Sequence, residues 1–280
     1  MKTGFNRCAL AAAVLALSVP AHALFLNASS SFNGSTDVDG TNGEVATTIY
    51  HVMGGGEHFI VDLKRTDYDF DGAYGVNGDP WDSLNRIFLD LRDEGQFNAQ
   101  LGYFAGLGYA MGFEEDIHLS ENYSLMPRAG LSWNFGDGIK AFFGAAANLN
   151  EADNKFLPVL GVQFGKDADL GWSGSVAYPA TRVLYRPSET LAFEGVFLTV
   201  KETYQLADDS KVASEGFVME ESYGVSAGII YTPVKMLNIR AGVQSFFDRE
   251  YTLYDRDGDE FASYDTDPSL GGYVTVGLAF

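Results

Sequence analysis

His118-Leu119-Ser120 sets an imidazole and a hydroxyl two residues apart, so on an extended segment they share one face, as a general base and the serine it activates must. Such a pair also needs a carboxylate to orient the imidazole. Glu121 projects to the opposite face, no other carboxylate stands at a comparable spacing, and the pair lies in an acidic stretch, 114–121, that reads as loop. Ordinary surface residues are the favoured reading. Arg182 and Arg186, in Tyr178-Pro179-Ala180-Thr181-Arg182-Val183-Leu184-Tyr185-Arg186, fall on one face of an extended run that follows a strand-breaking proline. They would form an anion-attracting constriction if left free, but pairing with Glu194, Asp90 or Asp248 is the favoured alternative. Asp255-Arg256-Asp257-Gly258-Asp259-Glu260 and Asp37-Val38-Asp39-Gly40 resemble pieces of calcium loops. In the first, however, glycine comes too early and position twelve is Thr266, so a hydrated acidic loop is expected. His51, His58 and His118 are too scattered for a metal site by spacing. Neither metal nor cofactor is expected.

The elements that would position these residues are strands. From Phe97 to Phe113 one face reads Phe, Ala, Leu, Tyr, Ala, Leu, Tyr, Met, Phe, and the other is glycine-rich and polar. Tyr123 to Phe135 alternates in the same way, with aromatics near both ends of the apolar face. Period-two patterning of this length suits a wall between lipid and a lumen, and the aromatic ends suit the girdles at the two membrane interfaces. Further strands are expected at about 58–70, 83–92, 139–149, 156–165, 171–178, 181–186, 190–205, 217–232, 237–254 and 269–280. Leu270, Val274, Val276, Leu278 and Phe280 share the apolar face of the last one, and a strand at a chain end must pair or become a sticky edge. In a closed barrel it pairs with the first strand.

Residues 1–23 carry Lys2 and Arg7, an apolar run from Ala9 to Val19, and Ala21-His22-Ala23, the pattern of a cleaved export signal. No cysteine follows Cys8, so disulfides are excluded from the exported part. No later segment approaches the roughly 20 apolar residues of a membrane helix. The 32 glycines, 15 tyrosines and 21 phenylalanines, with mean hydropathy near zero, fit faces that cancel on average. Beyond the leader, 16 basic residues face 38 acidic ones, and a formal charge of −22 excludes nucleic acid as a partner.

These features imply an all-β, transmembrane, antiparallel up-and-down β-barrel of about 12 strands, within a range of 10 to 14. Its expected divisions are a signal peptide at 1–23, an N-terminal extension at 24–56 and the barrel at 57–280. Residues 44–53 alone would add a thirteenth strand and strand the N-terminus on the outer side, so 24–56 is read as periplasmic or lumen-entering. The inward faces then carry both signs of charge, with Arg86, Arg92, Arg128, Arg182, Arg186, Glu194 and Arg240 as candidate lumen-lining or constriction residues, and Asp248 and Glu250 beside them.

Leu84-Asn85-Arg86, Gly106-Leu107-Gly108-Tyr109, Pro127-Arg128-Ala129-Gly130, Leu157-Pro158-Val159-Leu160-Gly161 and the run from Pro179 to Arg186 resemble a family of bacterial outer-membrane β-barrels of uncharacterised function, over roughly residues 58–280. The resemblance implies the barrel and no substrate. His118 and Ser120 have a spacing similar to that of barrel lipid A deacylases, but the glutamate that completes their triad has no match here. The expectation is a non-enzymatic protein of the bacterial outer membrane, a narrow passive channel or a structural component. The alternatives are a lipid hydrolase using His118 and Ser120, or a receptor or adhesin acting through acidic outer loops. Expected partners are outer-membrane lipid, lipopolysaccharide, and the barrel assembly machinery through the strand ending in Phe280.

Overall fold

Phe25–Val38 (β1) pairs antiparallel with Ser269–Ala279 (β15) through nine consecutive registers, from Phe25 opposite Ala279 to Asn33 opposite Gly271. The Phe280 N–H donates to the Leu24 carbonyl at 2.8 Å beside them. This contact closes the sheet into a ring and leaves no edge there. The computed structural model describes residues 24–72, 79–115, 117, 123–150 and 154–280, so the expected signal peptide at 1–23 lies outside the described residues.

Between those two strands the chain runs up and down through Gly43–Gly55 (β2), Phe59–Asp71 (β3), Ser83–Gln96 (β4), Leu101–Phe113 (β5), Tyr123–Gly136 (β6), Ile139–Asn148 (β7) and Lys155–Phe164 (β8). Gly171–Ala177 (β9), Ala180–Ser188 (β10), Leu191–Gln205 (β11), Phe217–Val234 (β12), Leu237–Tyr254 (β13) and Glu260–Thr266 (β14) follow. β14 and β15 lie end to end along β13, at residues 249–254 and 237–246 of that strand. The 15 segments therefore fill 14 positions in the ring. Turns at the end that holds Leu24 and Phe280 are short. Asp137-Gly138, with φ of 50° and 77°, is the two-residue hairpin that an Asp-Gly pair favours.

The outward faces are those that alternation implies. Leu91, Leu107, Trp133, Phe143, Phe156, Trp172, Ile229, Val243 and Val274 are all exposed. An exposed apolar band around a closed ring is stable only in lipid. Inward, glycines thin the wall so that rings can lie against it: Phe104 over Gly130 and Gly144, Phe142 over Gly161, Tyr273 over Gly228 and Gly242.

Two expectations are corrected. Residues 24–56 are not an extension: they form β1 and β2, and β1 closes the ring. The outward positions of β1 include Ala28 and Ser30, too polar for its alternation to stand out, and without β1 the strand at 44–53 had no place in the count. Two added strands, unlike one, keep both chain ends on the same side. Asp248 and Glu250 do not continue the inward face of Arg240. A bulge at Asp248, whose φ is 48°, sets one residue of β12, Ser222, against two of β13, Asp248 and Arg249, and turns Arg249, Tyr251 and Leu253 inward instead.

The ring does not keep one width. β9 and β10 end at Ala177 and Ala180, level with Leu198, and the Thr199 N–H bonds the Pro179 carbonyl at 3.0 Å, so the β9–β10 hairpin does not reach the rest of β11. Freed, β11 leans across the lumen and meets β5. Gln205 forms a parallel bridge with Phe113, and the Glu114 N–H donates to the Gln205 carbonyl at 2.9 Å. Above that level β11, β12, β13, β14, β1, β2, β3, β4 and β5 form a nine-stranded collar. From strand spacing and tilt, 14 strands give a backbone diameter of about 28 Å and nine give about 18 Å. The second value is near that of eight-stranded barrels, whose interior side chains just fill.

Candidate functional site

The collar is filled. Val38, Val45, Tyr68, Trp81, Leu84, Tyr204, Leu206, Val218, Tyr251 and Leu253, contributed by seven of its strands and the adjoining loops, make one buried apolar cluster inside the mouth. Trp81 sits edge-on to Tyr68 and Phe70, with ring centres 5.8 and 5.4 Å away. Beneath lies a polar layer that crosses the lumen. Glu202 of β11 is bound by Lys64 of β3, by Arg86 of β4 (3.2 Å) and by the Tyr204 hydroxyl. Glu220 of β12 accepts from Tyr68 at 3.3 Å and faces Arg249 at 3.3 Å. Lys155 of β8 reaches Glu221 of β12 at 3.4 Å, and Lys201 joins the same carboxylate.

Glu114 ties the collar shut. Its carboxylate accepts the Ala207 N–H at 2.9 Å, just past the end of β11. Partial burial pushes this carboxyl above the usual glutamate range, and the Ala207 hydrogen bond opposes only part of that shift.

The other end of the lumen is wide and charged. Arg182 bonds Glu194 at 3.1 Å and also Asp167, which comes from the turn before β9. Arg240 stands 3.9 Å from the same Glu194, and the Tyr273 hydroxyl donates to it at 3.4 Å. Burial would raise the Asp167 carboxyl, but hydrogen bonds from Arg182 and Ser173 outweigh it and hold the group below its ordinary value. Arg186 donates to two backbone carbonyls, those of Asp167 (2.8 Å) and Glu189 (3.3 Å). The remaining candidates are dispersed around the wall. Arg128 grips Asp90 through two bonds of 2.8 Å, Arg92 caps the Gly56 and Glu57 carbonyls at 3.0 Å each, and Arg86 belongs to the collar layer. Three of the seven, Arg182, Glu194 and Arg240, thus share one cluster, with Arg186 next to it through Asp167.

Sequence reasoning missed Lys64, Glu202 and Glu220 as a group, because only the lean of β11 brings distant strands together. His51 also acquired a partner, Asp62 at 2.8 Å. His118 and Ser120 lie outside the described residues. The Asp255 carboxylate accepts the N–H groups of Asp257 and Asp259 at 3.0 and 2.9 Å, so it is engaged by its own turn. Among the described residues no cluster of three His, Cys, Asp or Glu side chains could hold a metal ion.

A closed antiparallel ring, greasy outside and polar within, defines a transmembrane β-barrel of the outer-membrane type. In overall form the chain is similar to the NanC porin (TM-score 0.42, 8% identity, 90% of this chain and 98% of that one). It is also similar to the KdgM porin in complex with disordered oligogalacturonate (0.36, 8%, 91% and 99%) and to the P. putida toluene transporter TodX (0.35, 12%, 96% and 92%). No protein-family model matches the chain, and neither does any curated protein. The fold assignment rests on the strand register itself.

Proposed function

We propose that the protein resides in the bacterial outer membrane and works without catalysis as a narrow passive channel whose outer end is held shut by the collar. The observation that carries this is the unequal width of the two ends. A ring of 14 strands leaves room for a polar bore, and Lys64 and Arg86 reach across it to Glu202 only where β11 leans inward. Outer-membrane lipid and lipopolysaccharide are its surroundings in this reading, and the strand ending in Phe280 is the handle for barrel assembly.

Planar-bilayer recording of the mature chain tests it. The wild type should give rare, small current steps, and Glu202→Gln, which strips the charge that holds Lys64 and Arg86, should raise their frequency or size. Arg182→Ala and Arg186→Ala should shift ion selectivity away from anions. A bilayer that stays silent with wild type and Glu202→Gln alike would make the barrel a structural component instead.

A further inference from the structure

Above the buried cluster, the outer mouth holds a recess that opens to solvent, with a cavity volume of about 40 Å³. Its walls are apolar. Four rings, Phe70, Trp81, Tyr251 and Tyr264, stand around it with Val38 and Leu253 between them. Trp81 and Tyr251 are buried and form its floor, while Phe70 and Tyr264 are half-buried at its sides, so aromatic faces line a small recess that the described residues do not fill.

The chain around the pocket has a second regularity. Its strand-tip and loop contributions are flanked by aspartates: Asp37-Val38-Asp39, Asp69-Phe70-Asp71, Asp79-Pro80-Trp81-Asp82 and Tyr264-Asp265. Alternation turns the apolar residues inward and leaves these aspartates exposed, so a greasy cup sits inside an acidic rim. Lys211, beside Val212, is the one cation adjacent in sequence to a lining residue, and its ammonium hangs on the Asp79 carbonyl at 3.4 Å. Arg249 lies below the floor, where Glu220 offsets it.

From these features we propose that the outer mouth is a binding site for a small organic cation, an ammonium carried on an aromatic or short apolar body. The rim raises the local concentration of cations and repels carboxylates, while ring faces attract an ammonium once it is withdrawn from water. The site does not depend on the barrel conducting, so a silent bilayer leaves this proposal standing.

Calorimetric titration of the mature protein in uncharged detergent tests it, with phenyltrimethylammonium as the probe. Its neutral isostere tert-butylbenzene and the anion benzoate are the comparisons. Saturable binding of the cation is expected, about tenfold weaker in Trp81→Ala and weakened likewise by added salt. The triple variant Asp39→Asn/Asp69→Asn/Asp82→Asn removes charge without touching a packed group, and should lose several-fold in affinity even if Trp81→Ala does not fold. Absence of saturable heat at millimolar probe would overturn the proposal, as would affinity unchanged in the triple variant. Benzoate or tert-butylbenzene binding as tightly as the cation would overturn it too.

Discussion

Gly112→Ala is the sharpest perturbation of the collar. A methyl built on Gly112 falls on the Thr203 carbonyl oxygen and lies 2.9 Å from the Tyr204 ring carbon Cδ1. The carbonyl oxygen is the tighter contact, and restoring it to an ordinary van der Waals distance requires β5 and β11 to part by more than about 1 Å. That displacement carries the 2.9 Å bonds from the Glu114 N–H to Gln205 and from the Ala207 N–H to Glu114 out of hydrogen-bond range. Losing them costs about 1 kcal/mol each, and overpacking adds about 1–3 kcal/mol, for a total on the order of 2–4 kcal/mol. Gly195→Ala is the control, since nothing lies within 4 Å of a methyl at that position. Urea unfolding from lipid vesicles, followed by tryptophan fluorescence, should show Gly112→Ala shifted and Gly195→Ala unchanged, and bilayer current should rise only in the first. If the two variants unfold alike and conduct alike, the bridge between β5 and β11 does not close the mouth.

Asp248 occupies a left-handed backbone position that aspartate, asparagine and glycine tolerate and β-branched residues do not. Asp248→Asn should therefore unfold like wild type, while Asp248→Val loses about 1–2 kcal/mol in the same urea assay. Arg128→Met leaves Asp90 buried without its two bonds and should cost about 3 kcal/mol, much of it recovered in Arg128→Met/Asp90→Asn. Glu114 has a raised carboxyl in the folded state, so its contribution to stability is complete below about 4.5 and is lost as pH rises through the raised value. Glu114→Gln keeps an acceptor for Ala207 without the charge. It should melt above wild type at pH 7.5, with the gap closing as pH falls towards 4.5; a gap that widens on acidification would contradict the assignment.

The strands legible in the sequence were those whose outward faces are uniformly apolar. β5 and β6 show this with Leu107, Leu131 and Trp133, and β13 and β15 with Val243 and Val274, all of which meet lipid. β1 was not legible because Ala28 and Ser30 stand where leucine would have advertised a strand, whereas β2 was legible at 44–53, but only with β1 beside it can both chain ends lie on one side. The inward arginines were legible as a set by parity alone, and so was the pairing of Arg182 with Glu194. Their partners elsewhere were not. Asp167 is contributed by a turn, and Glu202 meets Lys64 from 138 residues away. A single extra residue at Asp248 inverts every parity assignment above it, which is how Tyr251 and Leu253 were hidden.

The unequal lengths of the strands explain why one chain carries both a polar lumen and an apolar core. β9 spans 7 residues and β11 spans 15, so nearly half of β11 rises beyond the hairpin that should shield its edge. An edge with unpaired N–H and C=O groups must find partners. The nearest are on β5, whose pairing with β6 ends at Met111 opposite Tyr123, one residue before the glycine that admits β11. Joining the two edges shrinks the ring from 14 strands to nine, and inward positions that would face water at 28 Å face one another at 18 Å. Tyr, Trp, Leu and Val at those positions then fill such a space with large, mainly apolar side chains. Lengthening the β9–β10 hairpin by two residues on each strand would test this order of causes. A longer hairpin should cover the β11 edge, release β5 and expose Trp81 to aqueous quenchers; continued protection of Trp81 would mean that the apolar cluster, and not the free edge, draws the collar together.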